Sequence, residues 1–164
     1  MKIEDAEKAI DDVLLLKTRG SRGDLAKLKR GLSTAQSLPA YSVLGRIVFP
    51  YSQTMMDAVS VVCGAFAADD CRKGSVPLMT VLADLEKDAS DTRRVKRLLS
   101  CTTTEEVSDV LRHTLRYVLN KEHKAVDWAR LLADAVNFDV AGDAIRMRWA
   151  SDAARAFWKK EGEA

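Results

Sequence analysis

Residues 91–119 read DTRRVKRLLSCTTTEEVSDVLRHTLRYVL, and this stretch decides the fold. Its first part concentrates cations, namely Arg93, Arg94, Lys96 and Arg97. The apolar side chains among them are Val95, Leu98 and Leu99. At about 100° per residue, the cations cover one half of a helix and the apolar side chains cover the other half. The pattern therefore predicts a helix that packs on a core through one face and points its cations outward.

The second part of the stretch predicts a longer amphipathic helix over residues 104–119. After the threonines, a repeat at i, i+3, i+4, i+7, i+8 and i+11 comprises Val107, Val110, Leu111, Thr114, Leu115 and Val118. Thr103 and Glu106 fit a capping box at the start of this helix. Its solvent face carries Arg112 and Arg116, one turn apart. Together the two helices predict a cationic surface suited to a polyanion.

The rest of the composition favours helices over sheets. The 164 residues allow one sizeable core or two small ones, and only three prolines interrupt the chain. No segment shows convincing strand alternation. We therefore expect an all-α protein made of two small helical bundles packed together, residues 1–88 and 89–164. The boundary is placed in the acidic and polar stretch 86–90.

In the N-terminal half, the first amphipathic helix is expected over residues 4–16. Two glycines then break the chain, and Asp24 is expected to cap the next helix. That helix points three cations outward or sideways, namely Lys27, Lys29 and Arg30. The unit is expected to end at residues 38–41, because the residue before Pro39 resists helical geometry.

The next stretch, residues 43–68, is broken at Pro50 and has Arg46 and Asp57 as its only charged residues. Its second part is apolar almost all round, which predicts a helix in the core or under a partner. A further helix follows, with Pro77 tolerated in its first turn.

Two more helices are expected after the central stretch. Asp127 is expected to cap a helix that starts at Trp128. The last helix, near residues 140–160, carries apolar residues on one face at every fourth position, namely Ile145, Trp149, Ala153 and Phe157. Arg146 and Arg148 lie beside that face.

No pattern indicates a catalytic, metal or cofactor site. The chain has no Gly-rich phosphate loop, nucleophile elbow, zinc-protease motif or calcium loop. His113 and His123 stand alone and are interpreted as solvated or locally paired. The adjacent Glu105 and Glu106 splay apart on a helix, and the helix dipole accounts for them. We therefore expect a protein that is not an enzyme and uses no cofactor.

The three cysteines, Cys63, Cys71 and Cys101, show neither C-x-x-C spacing nor a histidine pair at ligand distance in sequence. They are interpreted as reduced structural thiols of a cytosolic protein. The charged N-terminus lacks a signal-peptide core, and no run reaches the roughly 18 apolar residues of a membrane span. The sequence thus predicts a soluble, cytoplasmic protein.

The formal net charge of +2 is informative only through its distribution. Acids and bases gather in different segments, which produces a local positive field. Arg112 and Arg116 have two acids on their own side of the helix, whereas the cluster at 93–97 has Asp91 as its one acid within four residues. Since no aromatic residue is interleaved with this cluster, it predicts contact with backbone phosphates without base stacking.

Six short segments keep a common order and spacing from Gly23 to Phe157. The segments are GDLAKLKRGL at 23–32, LPAY at 38–41, RRVKRLL at 93–99, VLRHTL at 110–115, VDW at 126–128 and IRMRWA at 145–150. Each segment is short, and the specificity is in the series. As a series they resemble the small-subunit (CasB) family of the type I-E CRISPR surveillance complex, Cascade.

The resemblance implies an all-helical, two-bundle protein without catalytic activity. Its basic surface would hold the target strand paired with the guide RNA and the displaced DNA strand. It also implies contacts with the backbone and large subunits and pairing with a second copy. Carried over residue by residue, the nucleic-acid contacts are Lys27, Lys29, Arg30, Arg93, Arg94, Arg97, Arg112, Arg146 and Arg148. For the last two, ion pairs with Asp143 and Asp152 are the alternative, while Lys96 and Arg116 join the set through the helix patterns alone.

One alternative function stays open at this point. A helical scaffold or adaptor would dock a protein partner through the apolar region 43–68, and its arginines would only be solvated. This hypothesis predicts no DNA affinity and no response to salt.

Overall fold

The computed structural model describes residues 1–33, 37–47, 52–86 and 92–163, and within these ranges the chain is built from α-helices. The helices are α1 Ile3–Thr18, α2 Arg22–Lys29, α3 Leu38–Ile47, α4 Gln53–Ala68, α5 Leu78–Leu85, α6 Arg93–Leu99, α7 Thr104–Leu119, α8 Trp128–Val136 and α9 Phe138–Glu163. A 3-10 turn, Arg30–Leu32, follows α2 directly. The predicted all-α fold class is confirmed.

Helix α4 forms the middle of the core. Ser52 caps its start by accepting a hydrogen bond from the Met55 N–H at 3.4 Å. Every residue from Ala58 to Ala67 is buried, and α4 packs against α2, α7 and α8. A helix without a polar face needs neighbours on all sides. The predicted core helix in this stretch is confirmed.

Two glycines allow α4 to approach the end of α2 backbone to backbone. A Cβ atom on Gly64 would lie 2.6 Å from the Leu28 carbonyl oxygen, and one on Gly31 would lie 2.2 Å from the Ser60 carbonyl oxygen. Both distances are far below van der Waals contact, so no larger residue fits without moving a helix. The contact fixes the 3-10 turn, and with it the end of the first basic motif, against α4.

One continuous core joins the two predicted bundles. Its members include Ile10, Phe66, Leu111, Trp128 and Trp149. Helix α1 packs on α8, α4 packs on α7 and α8, and α5 packs on α9. The division into residues 1–88 and 89–164 stays a prediction, because residues 87–90 of its boundary stretch lie outside the described ranges.

The predicted caps of α7 and α8 are confirmed. Thr103 accepts a hydrogen bond from the Glu106 N–H at 3.2 Å, and Asp127 accepts one from the Arg130 N–H at 3.0 Å. The Glu106 carboxylate in turn accepts from the Thr102 N–H at 2.7 Å and from the Thr102 hydroxyl at 2.9 Å. The Thr102 hydrogen bonds hold the pKa of the Glu106 carboxyl below its ordinary value, because they favour the ionised form.

Two other predicted boundaries are wrong. Helix α2 begins at Arg22, so Asp24 lies in its first turn instead of capping it, and pairs there with Arg46 at 2.9 Å. Leu38 begins α3 instead of ending the preceding unit, and Pro39 takes the second helical position. A proline in the first turn removes no helical hydrogen bond, because the N–H there has no partner within the helix.

Helix α9 places its predicted apolar face on the core. Ile145, Trp149 and Ala153 are buried, and Phe157 is half-buried. The helix starts at Phe138 and departs from helical geometry at one residue, Ala141, with φ −127° and ψ 19°. Neither α9 nor any other helix in the described ranges combines the length and the apolar run that crossing a bilayer takes.

The three cysteines, Cys63, Cys71 and Cys101, are free and buried. Burial raises the pKa of the Cys63 thiol to about 12, because a thiolate would lose its hydration there. Each cysteine therefore acts as a small apolar residue of the core.

Candidate nucleic-acid interface

Helix α6 has the two faces that its sequence predicts. Val95 and Leu98 are buried in the core, whereas Arg93, Lys96 and Arg97 are exposed. Since the buried side chains hold the helix in place, the cations project from a fixed backbone.

The cations of α6 differ in whether a carboxylate accompanies them. Within the described residues, no carboxylate oxygen lies within 4.0 Å of a side-chain nitrogen of Arg93, Lys96 or Arg97. Arg94 differs, because its Nη1 atom lies 3.8 Å from Oε1 of Glu86, which is buried in the core. Three like charges thus stay uncompensated in the described part of this surface.

A groove of about 480 Å³ lies between α6 and α7. Its lining residues are Arg93, Arg94, Arg97, Val110, His113, Thr114 and Tyr117. The groove places three guanidinium groups beside an imidazole, a hydroxyl group and a phenol ring. A cleft lined by charges of one sign concentrates ions of the opposite sign.

Tyr117 brings an aromatic ring to the cationic cluster. The guanidinium carbon of Arg94 lies 3.5 Å from the centre of the Tyr117 ring, and the Lys121 ammonium lies 5.9 Å from it. No aromatic residue is interleaved with the cluster in the sequence, and Tyr117, which belongs to the next helix, reaches Arg94 only in the folded chain.

Arg112 is buried, although the pattern of α7 predicts it on the solvent face. Its side chain is 7% exposed, with Nη1 2.6 Å from Oδ1 of Asp109 and Nη2 3.3 Å from Oδ1 of Asp57. Asp57 also accepts a hydrogen bond from the Tyr41 hydroxyl. The predicted exposure of Arg112 is therefore wrong, and its guanidinium ties α7 to α4.

Arg116 connects α7 to the first basic motif. Its side chain is exposed, and its Nη2 atom donates a hydrogen bond to the Leu32 carbonyl oxygen at the end of the 3-10 turn. Arg30 begins the same turn. The hydrogen bond therefore brings a cation of α7 close to the cations that follow α2.

The cations of the first basic motif are all exposed. Lys27 lies 3.8 Å from Asp24, a carboxylate that also pairs with Arg46. For Lys29 and Arg30, the described residues provide no carboxylate within 4.0 Å. Lys17 and, at longer range, Lys29 lower the pKa of the exposed Asp70 carboxyl, so this motif adds one uncompensated charge, that of Arg30, and two whose carboxylates are shared.

Arg146 holds the start of α9 to the end of α6. Its Nη1 atom donates to the Cys101 carbonyl oxygen at 2.7 Å, and its Nη2 atom pairs with Asp143. The alternative interpretation of Arg146, an ion pair with Asp143, is confirmed.

Arg148 is held by a buried carboxylate in α8. It pairs with Asp134, which also accepts a hydrogen bond from the Trp149 indole N–H at 2.8 Å. The alternative of a pair with Asp152 is wrong for Arg148, because Asp152 pairs with Arg130 at 3.3 Å.

Comparison with known families decides the identity of the chain. Residues 24–152 match the sequence model of the family described as CRISPR-associated protein Cse2. This chain belongs to the Cse2 family. The matched range contains every residue of the predicted nucleic-acid site, from Lys27 to Arg148. Cse2 is the CasB subunit family of CRISPR Cascade, the family that the sequence motifs resemble.

Solved Cse2 structures have the same fold as this chain. A CRISPR-associated protein of the Cse2 family from Thermus thermophilus is similar with a TM-score of 0.76 and 20% identity over 91% of this chain and 97% of that chain. A second structure, of CasB from Thermus thermophilus, gives a TM-score of 0.74 at 20% identity over 91% and 97%. CasB from M. ruber gives 0.72 at 20% identity over 95% and 98%. No curated protein matches the sequence.

The geometry divides the predicted site of this Cse2 chain into two groups. In the first group are the exposed cations that have no carboxylate of the described residues within 4.0 Å, namely Lys29, Arg30, Arg93, Lys96, Arg97 and Arg116. The cations held by carboxylates are Lys27, Arg94, Arg112, Arg146 and Arg148. The first group is free to bind an external anion without breaking an ion pair of the fold.

Proposed function

We propose that this Cse2 protein works in the cytoplasm as a non-catalytic subunit of Cascade that holds nucleic acid by its backbone. The observation that carries the proposal is the outer face of α6, where Arg93, Lys96 and Arg97 are exposed. In the described part of the chain, no carboxylate oxygen lies within 4.0 Å of their side-chain nitrogens. Cations of this kind bind phosphates and read no base sequence.

The proposed role is to stabilise DNA that a guide RNA has opened. Replacing a DNA duplex by an RNA–DNA heteroduplex is nearly balanced in free energy, so a few protein contacts to the backbone shift the equilibrium. The subunit would hold the target strand paired with the guide and the displaced strand. Each neutralised phosphate releases counterions, so affinity falls with salt by a slope of roughly 0.7 to 0.9 per contact.

The proposed contact surface centres on α6 and extends to the first basic motif. Lys29 and Arg30 supply exposed cations there, and Arg116 links the two areas through its hydrogen bond to the 3-10 turn. Lys27 belongs to the rim of this surface, because its charge is shared with Asp24.

Three predicted contacts are left out of the proposed surface. Arg112, Arg146 and Arg148 each pair with a carboxylate, and the three hold α7 and α9 in place. Each of these arginines would have to break its ion pair to bind a phosphate, which costs free energy. An exposed arginine without such a pair binds a phosphate without this cost.

The burial of residues 58–67 argues against the scaffold hypothesis. This hypothesis requires the apolar stretch 43–68 to face a partner, whereas α4 is covered by α2, α7 and α8. Three of the exposed large hydrophobic residues of the described chain lie on α9, namely Val140, Met147 and Trp158, and a fourth, Leu38, begins α3. Subunit contacts therefore need a different surface from the one that the sequence suggests.

The outer face of α9 supports the proposed pairing with a second copy. Its exposed or half-buried positions alternate three and four residues apart, at Ala144, Met147, Ser151, Ala154 and Trp158, which is the spacing of a coiled-coil seam. An antiparallel second copy would place Ala144 beside Ala154 and Met147 beside Ser151 in a two-fold arrangement. Sedimentation should show a concentration-dependent dimer that M147E abolishes, and a wild-type monomer at every concentration would contradict this interface.

The DNA-binding proposal is tested on the purified protein by fluorescence anisotropy with single- and double-stranded DNA. We expect weak binding to both that falls steeply from low to moderate salt. The charge-swapped variant R93E/K96E/R97E leaves the Arg94–Glu86 pair intact, so it should fold normally and lose this binding. The control variant K8E/R19E/R155E has the same change in net charge at exposed sites elsewhere, and it should keep most of the DNA binding.

Full affinity in the folded charge-swapped variant would remove α6 from the interface, and the absence of any salt-dependent binding would contradict the function. The same variant, built into the whole complex, should assemble and release target DNA more easily. Failure to assemble would instead assign the outer face of α6 to protein docking.

A further inference from the structure

We infer that the groove between α6 and α7 binds one unpaired nucleotide, with its base stacked on the guanidinium of Arg94. The inference rests on the proposed function and deepens it, since backbone contacts alone do not separate single strands from duplexes. Arg93 and Arg97 line the same groove and would hold the phosphates on either side of the stacked base.

The guanidinium of Arg94 lies over the Tyr117 ring. Its central carbon is 3.5 Å from the ring centre, a distance at which planar groups stack. One face of the guanidinium is therefore covered by the ring, and the other face remains for a ligand. The Arg94 side chain is 37% exposed and lines the groove, so a ligand in the groove can reach it.

The charges around the groove separate Arg94 from its neighbours. The buried carboxylate of Glu86 lies 3.8 Å from Nη1 of Arg94 and offsets its charge, while the described residues place no carboxylate near Arg93 and Arg97. Arg94 thus adds a rigid planar surface rather than a free charge. Guanidinium planes are surfaces on which unpaired bases stack, and a lysine cannot replace them.

The size and lining of the groove suit a single nucleotide. Its volume is about 480 Å³, its apolar lining comes from Val110 and Tyr117, and His113 and Thr114 provide polar groups. In a duplex both faces of every base are covered by neighbouring pairs, so a base stacks on protein only when it is unpaired or flipped out. The groove therefore selects single-stranded nucleic acid.

The experiment compares two single-stranded probes at one salt concentration, an oligothymidylate and an abasic oligomer of equal length. Anisotropy titrations should show that the wild-type protein binds oligothymidylate at least about five-fold more tightly, as one stacked base allows. R94K keeps the charge and loses the plane, so this ratio should fall towards one while the salt slope stays unchanged. Y117F keeps the ring and should keep the ratio, whereas Y117L should lose it.

A second measurement follows the stacked base directly by its fluorescence. An oligothymidylate with one 2-aminopurine should lose fluorescence on binding, because stacking quenches this base, and the loss should be weaker with R94K. A wild-type ratio of one, or an unchanged ratio in R94K, would overturn the stacked-base site. Loss of binding to both probes together with a flat salt response is a different result, because it contradicts the proposed function itself.

Discussion

Arg97 on α6 and Arg112 on α7 belong to neighbouring amphipathic helices, and the sequence pattern predicts both on the solvent face. In the structure, Arg97 is exposed, whereas Arg112 is 7% exposed and bound by two carboxylates. One of these carboxylates, Asp109, lies one turn away on the same helix, and the other, Asp57, lies 55 residues away in the sequence.

The comparison shows that the function of an arginine depends on the carboxylates that the fold brings to it. A helix pattern reveals acids three or four residues before or after an arginine, such as Asp109, but it contains no information on acids from other helices. Uncompensated cations such as Arg97 can bind phosphate, while compensated ones such as Arg112 stabilise the fold. The two groups should therefore respond differently to mutation.

The largest stability effect is expected for Arg112. R112A should lower the free energy of unfolding by about 2 kcal/mol in urea titrations, less than for a fully buried pair, because Asp57 and Asp109 keep access to water. The salt slope of DNA binding should not change. R97A is the matched control, and its unfolding free energy should stay within about 0.5 kcal/mol of wild type. Equal stability in the two variants would contradict the claim that carboxylate-bound arginines stabilise the fold more than uncompensated ones.

A smaller effect should follow from the removal of Arg148. In the described part of the chain, the buried carboxylate of Asp134 accepts hydrogen bonds from Arg148 and from the Trp149 indole, and R148A removes the first of them. We therefore expect R148A to lower the free energy of unfolding by about 1 kcal/mol in thermal or urea unfolding. Exposed Arg155 on the same helix provides the control. If R155A destabilised the protein as much as R148A does, the carboxylate would not explain the difference.

The smallest effect concerns Glu106, an exposed acid that the fold nevertheless uses. The pKa of the Glu106 carboxyl is below its ordinary value because Thr102 donates two hydrogen bonds to it. The ionised carboxylate therefore stabilises the fold at pH values above the ordinary carboxyl pKa, and this stabilisation is lost as the pH falls through the folded-state pKa. E106Q should therefore be less stable than wild type at about pH 7, and the difference should shrink as the pH falls below the ordinary carboxyl range. A difference that stays constant with pH would contradict this origin.

Much of the fold could be predicted because it depends on periodicity. The apolar faces of α6, α7 and α9 follow from helical spacing, and the all-round apolar composition of α4 places it inside. The errors occurred where short-range rules compete. The restriction on the residue before Pro39 predicts the end of a helix there, yet proline is equally compatible with the first turn of the next helix.

The candidate site could be predicted only in part, because its decisive contacts join different helices. The outward face of α6 is visible in the sequence from Arg93 to Arg97. The ring of Tyr117 beneath Arg94 is not, since the two residues lie on successive helices whose crossing the sequence does not give. The burial of Arg112 by Asp57 has the same cause.

The most direct test of the central claim is the slope of log affinity against log salt for single-stranded DNA. We predict that R93Q/K96Q/R97Q, which removes the uncompensated charges of α6 and leaves its core face intact, has a slope smaller than wild type by about 2. R112A should keep the wild-type slope. An unchanged slope in the triple variant, or the same reduction in R112A, would contradict the claim that exposed, uncompensated cations on α6 hold the nucleic-acid backbone.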